Sequence, residues 1–230
     1  MNIAENIERV QEGIHRACQR SGRDAKDVRL IAVSKTQPAE AIRQAHGAGL
    51  REFGENGVQE ASAKRRRLED IDAVWHLIGH LQSNKAKHAC RLFDWIHSVD
   101  SLHLAEKIDR EAAALGRKMP VLIEVHLGEE PSKFGVEQDD LVRMAEGMAM
   151  MRSLELRGLM TLPPFFDDPQ AVRPYFRRLR ELAERIGAQR LPGVQMRELS
   201  MGMSHDFEIA IEEGATIVRV GTAIFGERQR

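Results

Sequence analysis

Lys35 closes the apolar run Leu30-Ile31-Ala32-Val33-Ser34-Lys35-Thr36, so its ammonium is expected to project from the end of a buried strand. Desolvation lowers the pKa of a lysine and frees a neutral amine, which a Schiff-base lysine requires. A lysine that simply ends a strand in water is the plainer alternative, and this segment by itself favours it. Near the other end, Val218-Arg219-Val220-Gly221-Thr222-Ala223-Ile224-Phe225-Gly226 leaves an apolar run through Gly221 and offers the Thr222 hydroxyl and successive amides to an anion. Ser200-Met201-Gly202-Met203-Ser204 makes a second such turn, with Ser204 placed to cap a helix beginning near His205. One glycine-bearing turn is more often a connection than a site. Two of them after adjacent strands would make a phosphate cup.

His76 and His80 stand four apart, but Trp75-His76-Leu77-Ile78 reads as a strand, whose period does not bring two such ligands together, so no metal site is expected. Gly79-His80-Leu81-Gln82-Ser83-Asn84-Lys85 reads as a loop opening a helix, with His80 facing the site and a capped surface loop as the plainer alternative. His126, inside Glu124-Val125-His126-Leu127, reads as a satisfied structural histidine. Lys64-Arg65-Arg66-Arg67, flanked by Glu60, Glu69 and Asp70, reads as a solvated helix face. Met144, Met148, Met150 and Met151 are spaced for helix packing.

These residues need a frame that brings their strand ends together. Short β-branched runs recur at Leu30-Val33, Arg51-Phe53, Val74-Ile78, Trp95-Val99, Val121-Leu127, Leu154-Met160, Arg197-Ser200 and Ile217-Val220. Helical periods separate them near Pro38-His46, Gln59-Glu69, Ser83-Ala89, Leu102-Leu115, Gln138-Met151, Ala171-Ile186 and His205-Glu212, with a further helix at Ile3-Arg20. Strict alternation implies right-handed βαβ units and a parallel sheet, and eight of them fit an α/β fold, the (β/α)8 TIM barrel with an additional N-terminal helix. An open doubly wound sheet is the other arrangement the pattern permits. No linker composition interrupts residues 1–230, so one domain is expected. Leu162-Pro163-Pro164-Phe165-Phe166-Asp167-Asp168-Pro169, after the sixth strand, is a candidate lid over the barrel mouth. Lys35, Glu55 and Asn56, His80, Ser200, and Arg219 with Gly221 and Thr222 all fall at or just after strand ends, where barrel chemistry resides.

The 230 residues are 42% apolar and 30% charged, with 34 Lys+Arg against 35 Asp+Glu. The net charge of -1 provides no global field toward nucleic acid or an anionic membrane, and few aromatics are present to stack on bases. No apolar run approaches the ~20 residues of a membrane helix, and the polar start is unlike a cleaved signal. Cys18 and Cys90 have no ligand spacing, and a chain of this size does not need disulfide staples, so a reducing cytoplasm is expected.

Five ordered blocks carry a resemblance: Ile31-Ala32-Val33-Ser34-Lys35-Thr36, Phe53-Gly54-Glu55-Asn56-Gly57-Val58-Gln59-Glu60, Trp75 through Lys85, Leu199 through Ser204, and Val218 through Gly226. On these the chain resembles the pyridoxal phosphate homeostasis protein family, over nearly its whole length. The resemblance implies a fold-type III barrel like the N-terminal domain of alanine racemase. It implies pyridoxal 5′-phosphate (PLP) held as an aldimine on Lys35, with Ser200, Gly221 and Thr222 on the phosphate. Met201, Gly202 and Ser204 would form the surrounding loop, Arg219 would face the pyridine nitrogen, and Asn56 and His80 would line the pocket. The implied role is intracellular PLP (vitamin B6) homeostasis without appreciable turnover, with PLP-dependent apoenzymes as partners and the protein a monomer.

Three positions depart from the family pattern: Gly57 where Tyr is usual, His126 where Asn is usual, and Phe134 where a small residue is usual. A small PLP-dependent racemase is the alternative. An arginine on the ring nitrogen keeps that nitrogen unprotonated, because two cations in one low-dielectric pocket repel, which makes a poor electron sink. A racemase of this kind also needs a second base. Tyr175 is the only tyrosine, on a helix expected outside the barrel, and Gly226 is followed by four residues, too few for a second domain to supply one. His80 or Lys133 would have to substitute.

Overall fold

The computed structural model describes residues 2–128 and 134–227. Eight parallel strands close into a barrel in sequence order. They are β1 Arg29–Val33, β2 Glu52–Glu55, β3 Val74–Leu77, β4 Trp95–Val99, β5 Met119–Val125, β6 Leu154–Thr161, β7 Glu198–Ser200 and β8 Ile217–Val220. The seam is made by β8 against β1, from Arg29↔Ile217 to Ala32↔Val220. The expected TIM barrel is therefore the fold, and the open sheet is not.

The helices are α1 Ile3–Ser21, α2 Ala39–Gly47, α3 Val58–Arg65, α4 Ala86–Leu92, α5 Leu102–Ala114, α6 Leu141–Ala149, α7 Arg173–Gly187, α8 Phe207–Glu212 and α9 Thr222–Phe225. Helix α1 starts where the Asn2 side chain accepts from the Ala4 amide and stops at Gly22 in the left-handed region. Its Ile7, Val10, Ile14 and Ala17 recur on one face and are buried. That face lies against α2, α8 and α9, so α1 fills the outer-ring place that the single turn of α9 is too short to cover. Asn6 Nδ2 donates to the Ile224 carbonyl at 2.7 Å, and Arg20 pairs with Glu208 and Glu212 at 2.8 and 2.7 Å.

Apolar residues divide into two groups. The large core lies between strands and helices, with Phe53, Trp75, Phe93 and Phe176 fully buried. A small separate cluster, Ile31, Leu122, Met160 and Ile217, fills part of the barrel interior. Buried His76, His97, Ser200 and Arg219 belong to β3, β4, β7 and β8, where a barrel of this type ordinarily packs branched aliphatics. Both cysteines are buried and free. Among the described residues no helix is long and apolar enough to cross a membrane.

Candidate functional site

At the C-terminal mouth, a cavity of about 450 Å³ is lined by Lys35, Asn56, His80, Ser204, Arg219, Gly221 and Thr222 together with Glu124. That lies within the ~300–1,000 Å³ of small-molecule sites. The loops after five strands thus meet where the sequence placed them. Leu162, Pro164 and Phe165 border the same cavity, so the proline-rich segment after β6 does lie at the mouth.

Lys35 is half-buried on a turn closed by the Gln37 amide donating to the Ser34 carbonyl at 3.0 Å. Thr36 has φ 64, a left-handed conformation unusual for a β-branched residue, and such strain persists only where its surroundings hold it. The surroundings here are ionic. The Thr36 amide donates to Glu60 Oε1 at 2.5 Å, and Glu60 pairs with Lys64 at 2.6 Å. Lys64 Nζ donates to the Ser34 carbonyl at 2.6 Å and to both Glu55 oxygens at 2.8 and 3.0 Å, while Ser34 Oγ donates to Glu55 Oε1 at 2.6 Å. Lys64 is 8% exposed and Glu55 0%. The solvated-face reading therefore fails at Lys64, because it follows Val58 and Ala61 at three-residue spacing on the buried face of α3, against the ends of β1 and β2. Arg67 does behave as expected, pairing with Glu40 at the surface.

Asn56 is exposed at the cavity edge. A Cβ on Gly79 would lie 2.3 Å from the Asn56 carbonyl oxygen, so only glycine allows the loops after β2 and β3 to approach this closely. Gly57 opens α3 in an extended conformation, and the space where a side chain would stand is empty. His80 Nδ1 lies 3.2 Å from Asp100 Oδ2, and Phe134 stacks on the imidazole at 3.6 Å between centroids. The departure at Phe134 thus covers His80, although Phe134 itself is 55% exposed.

Ser204 does not cap α8. Asp206 occupies that helix's first flanking position, and Asp206 Oδ1 accepts from the Met203 amide at 2.6 Å. Ser204 Oγ instead accepts from the Gly221 and Ala223 amides, both at 3.2 Å, tying the turn after β7 to the turn after β8. Gly202 (φ 91) is packed so that a Cβ would stand 2.5 Å from Ala210 Cβ, and Met201 is buried beside it. Ser200 differs from the expectation: its hydroxyl is turned into the barrel, accepting from Arg219 NH1 at 2.6 Å and lying 2.9 Å from His97 Nδ1.

Arg219 is 3% exposed and also donates to the Thr161 carbonyl at 2.9 Å. Burial lowers its guanidinium to about 10, with Glu124 and Asp206 opposing. It remains a cation at neutral pH.

Sequence reasoning missed Glu124, which is 6% exposed on β5. Burial and the nearby Asp100 raise it to about 7, with Arg219 opposing. Unfolded, a glutamate titrates near ~4.3. The folded chain binds this proton more tightly, so the stability it contributes is full below about pH 4.3 and is lost as pH rises through about 7. The loss amounts to about 4 kcal/mol by roughly pH 8. Glu124→Gln cannot ionise, and its urea-unfolding free energy is expected to overtake that of the unsubstituted protein across this range. Parallel curves would refute the assignment.

The remaining candidates lie elsewhere. Tyr175 is on α7, its ring 5.6 Å from Phe166. His126 Nδ1 lies 2.9 Å from Glu137 Oε1, but Nε2 is buried without a partner among the described residues, so this histidine is only half satisfied. Lys133 lies outside the described residues. Among those described, no group of three or more His, Cys, Asp or Glu gathers as a metal site.

A closed parallel barrel with a lysine after its first strand and a cup after its last two defines a class, and the comparisons agree with it. The profile of the family "Alanine racemase, N-terminal domain" matches residues 2–229. Clostridium difficile alanine racemase shares the fold at TM-score 0.71 and 15% identity, over all of this chain and 57% of that one. The chain is 47% identical over 229 residues, all of both chains, to the pyridoxal phosphate homeostasis protein of Aquifex aeolicus. It is 45% identical to that of Pseudomonas aeruginosa, over 98% of this chain and 96% of the relative. It belongs to the pyridoxal phosphate homeostasis protein family. PipY of Synechococcus elongatus, solved with PLP bound, matches at TM-score 0.85 and 44% identity, over 97% of this chain and all of that one.

Proposed function

We propose that this protein binds PLP in the mouth cavity and takes part in PLP (vitamin B6) homeostasis, holding the cofactor rather than turning over amino acids with it. The observation that carries the reading is the pinned, strained turn that presents Lys35 to the cavity it shares with Arg219 and the Ser204-Gly221 junction. When bound, PLP supplies an aldehyde that condenses with a primary amine. The residues present fit such a group. Lys35 supplies the amine. Ser204 Oγ takes up the Gly221 and Ala223 amides and so fixes the turn after β8, while Thr222, which lines the cavity, brings its hydroxyl as a donor for a phosphate. Gly202 and Met201 support that loop, Asn56 and His80 form the far wall, and Arg219 supplies the cation for the ring nitrogen. Ser200 contributes by holding Arg219.

The cationic Arg219 disfavours a second positive charge on the ring, which supports holding over carbanion chemistry. The position of Tyr175 on α7 supports the same reading. In it the protein acts as a cytoplasmic monomer that supplies PLP-dependent apoenzymes, with no nucleic-acid or membrane partner.

The experiment is borohydride reduction of the PLP-loaded protein followed by peptide mass mapping. A pyridoxyl adduct on Lys35 alone is expected. A folded protein with no adduct, or with one elsewhere, overturns the site.

A further inference from the structure

The barrel interior contains an unbroken line of polar contacts from one end to the other. Arg219 NH1 donates to Ser200 Oγ at 2.6 Å, and Ser200 Oγ lies 2.9 Å from His97 Nδ1. His97 Nε2 lies 3.0 Å from His76 Nδ1, and His76 Nε2 lies 2.7 Å from Glu52 Oε2. Glu52 is the first residue of β2, at the barrel end opposite the cavity. His76, His97 and Ser200 are all 0% exposed. The small apolar cluster of Ile31, Leu122, Met160 and Ile217 lies within the same barrel.

The direction of this line follows from its two ends. Arginine can only donate, and an ionised carboxylate can only accept. His76 therefore donates through Nε2 to Glu52, which leaves Nδ1 of the neutral ring as an acceptor. His97 then donates to it through Nε2, and its own Nδ1 accepts the Ser200 hydroxyl hydrogen. Ser200 is left with its oxygen lone pair facing Arg219. Every member is satisfied with both histidines neutral, each as the Nε2–H tautomer.

We propose that Glu52, His76 and His97 are positioning residues for Arg219, so that a carboxylate at the closed end of the barrel sets the hydrogen-bond direction beneath the cofactor's ring. The proposal deepens the PLP reading above and rests on it for its functional consequence. Burial holds His97 well below the ordinary imidazole value and lowers His76, for which the Glu52 hydrogen bond acts in opposition. Trp95, stacked on His76 at 6.0 Å and capped by Arg29 at 4.5 Å, covers the same end. Arg29 also lies 3.9 Å from Glu52 and 3.0 Å from Glu198. The sequence carries a faint sign of this line: His76 and His97 interrupt apolar strand segments.

The test begins with the unsubstituted protein, 15N-labelled at histidine, with and without PLP. Both His76 and His97 are expected as neutral Nε2–H tautomers near neutral pH. A charged ring or an Nδ1–H tautomer at either position overturns the relay. Glu52→Leu removes the terminal acceptor. It is expected to mix the His76 tautomers, shift the absorbance maximum of bound PLP, and speed PLP release into a scavenging apoenzyme roughly tenfold, the scale of orphaning a buried donor. Glu52→Gln keeps an acceptor oxygen and should restore absorbance and release to within about twofold of the unsubstituted protein. Release from Glu52→Leu at the unsubstituted rate, with an unshifted spectrum, also overturns the proposal. If the unsubstituted protein fails to take up PLP, the cofactor reading falls by itself, and the tautomers measured without PLP still decide the relay.

Discussion

Lys64→Met is expected to cost the folded state about 3–5 kcal/mol, the range for breaking a buried ion pair from one side. Glu55 is fully buried, and Lys64 gives both of its oxygens a charged donor. Burial raises the Glu55 pKa, and the Lys64 and Ser34 hydrogen bonds oppose that rise. Without Lys64 the carboxyl retains Ser34 alone, and its charge is left in a low-dielectric site. The same substitution removes the donor on the Ser34 carbonyl and the cation that pairs with Glu60 beside the Thr36 amide. The strained turn at Lys35 then loses its support, so cofactor uptake should weaken together with stability. A second substitution, Glu55→Met, is expected to recover much of the stability, because two apolar groups there leave no orphaned charge. It should recover none of the uptake. Urea unfolding of the single and double variants measures the first effect and PLP titration the second. A single variant within about 1 kcal/mol of the unsubstituted protein would show that solvent reaches Glu55 after all.

Replacing Lys35 is expected to abolish the borohydride-reducible adduct completely while leaving the fold intact. Lys35 ends a turn and is only half-buried, so Lys35→Ala removes little packing. Lys35→Arg should not restore the adduct. A guanidinium stays protonated at any working pH and offers no neutral amine, whereas a lysine in a partly desolvated pocket can. The absorbance of added PLP should remain that of the free aldehyde in both variants. Retention of a reducible adduct in Lys35→Ala would move the site to another amine and leave the pinned turn without a purpose.

The strands were legible because a two-sided buried strand must be apolar throughout, and eight such runs separated by helical periods leave few folds open. Their ends were less so. The run read as ending at Phe53 continues to Glu55, since a glycine followed by a glutamate looks like a boundary until the glutamate's lysine is known. Lys64 was misread for the same reason. Its neighbours in sequence are charged and solvated, and its partner Glu55 comes from a different element. Ser204 read as a helix cap because serine before a helix usually is one; in the neighbouring turn after β8 it meets two amides that no local rule foresees. Lys35, Arg219 and the two turns were legible because strand ends in a closed barrel converge, so position along the chain already implied position in space. Glu124 and His97 carried no local signal beyond being polar residues inside apolar runs. Their meaning depends on inward or outward parity, which is settled only once the sheet has closed.

Helix α1 is held by residues far along the chain. Asn6 bonds to Ile224 across 218 positions, and Arg20 to Glu212 across 192. As the polypeptide leaves a ribosome, this amphipathic segment is made long before α8 and α9, which cover most of it. For most of synthesis its Ile7, Val10 and Ile14 stripe has only α2 to meet, and the barrel's last seam, β8 against β1, is likewise open. Closure is therefore a late event that brings α1 and β1 against β8 and α9, and a cup formed by the turns after β7 and β8 cannot exist before it. A nascent chain stalled short of β8 would have its lysine but nothing to hold a phosphate, so competence to take up the aldehyde arises only when assembly is finished.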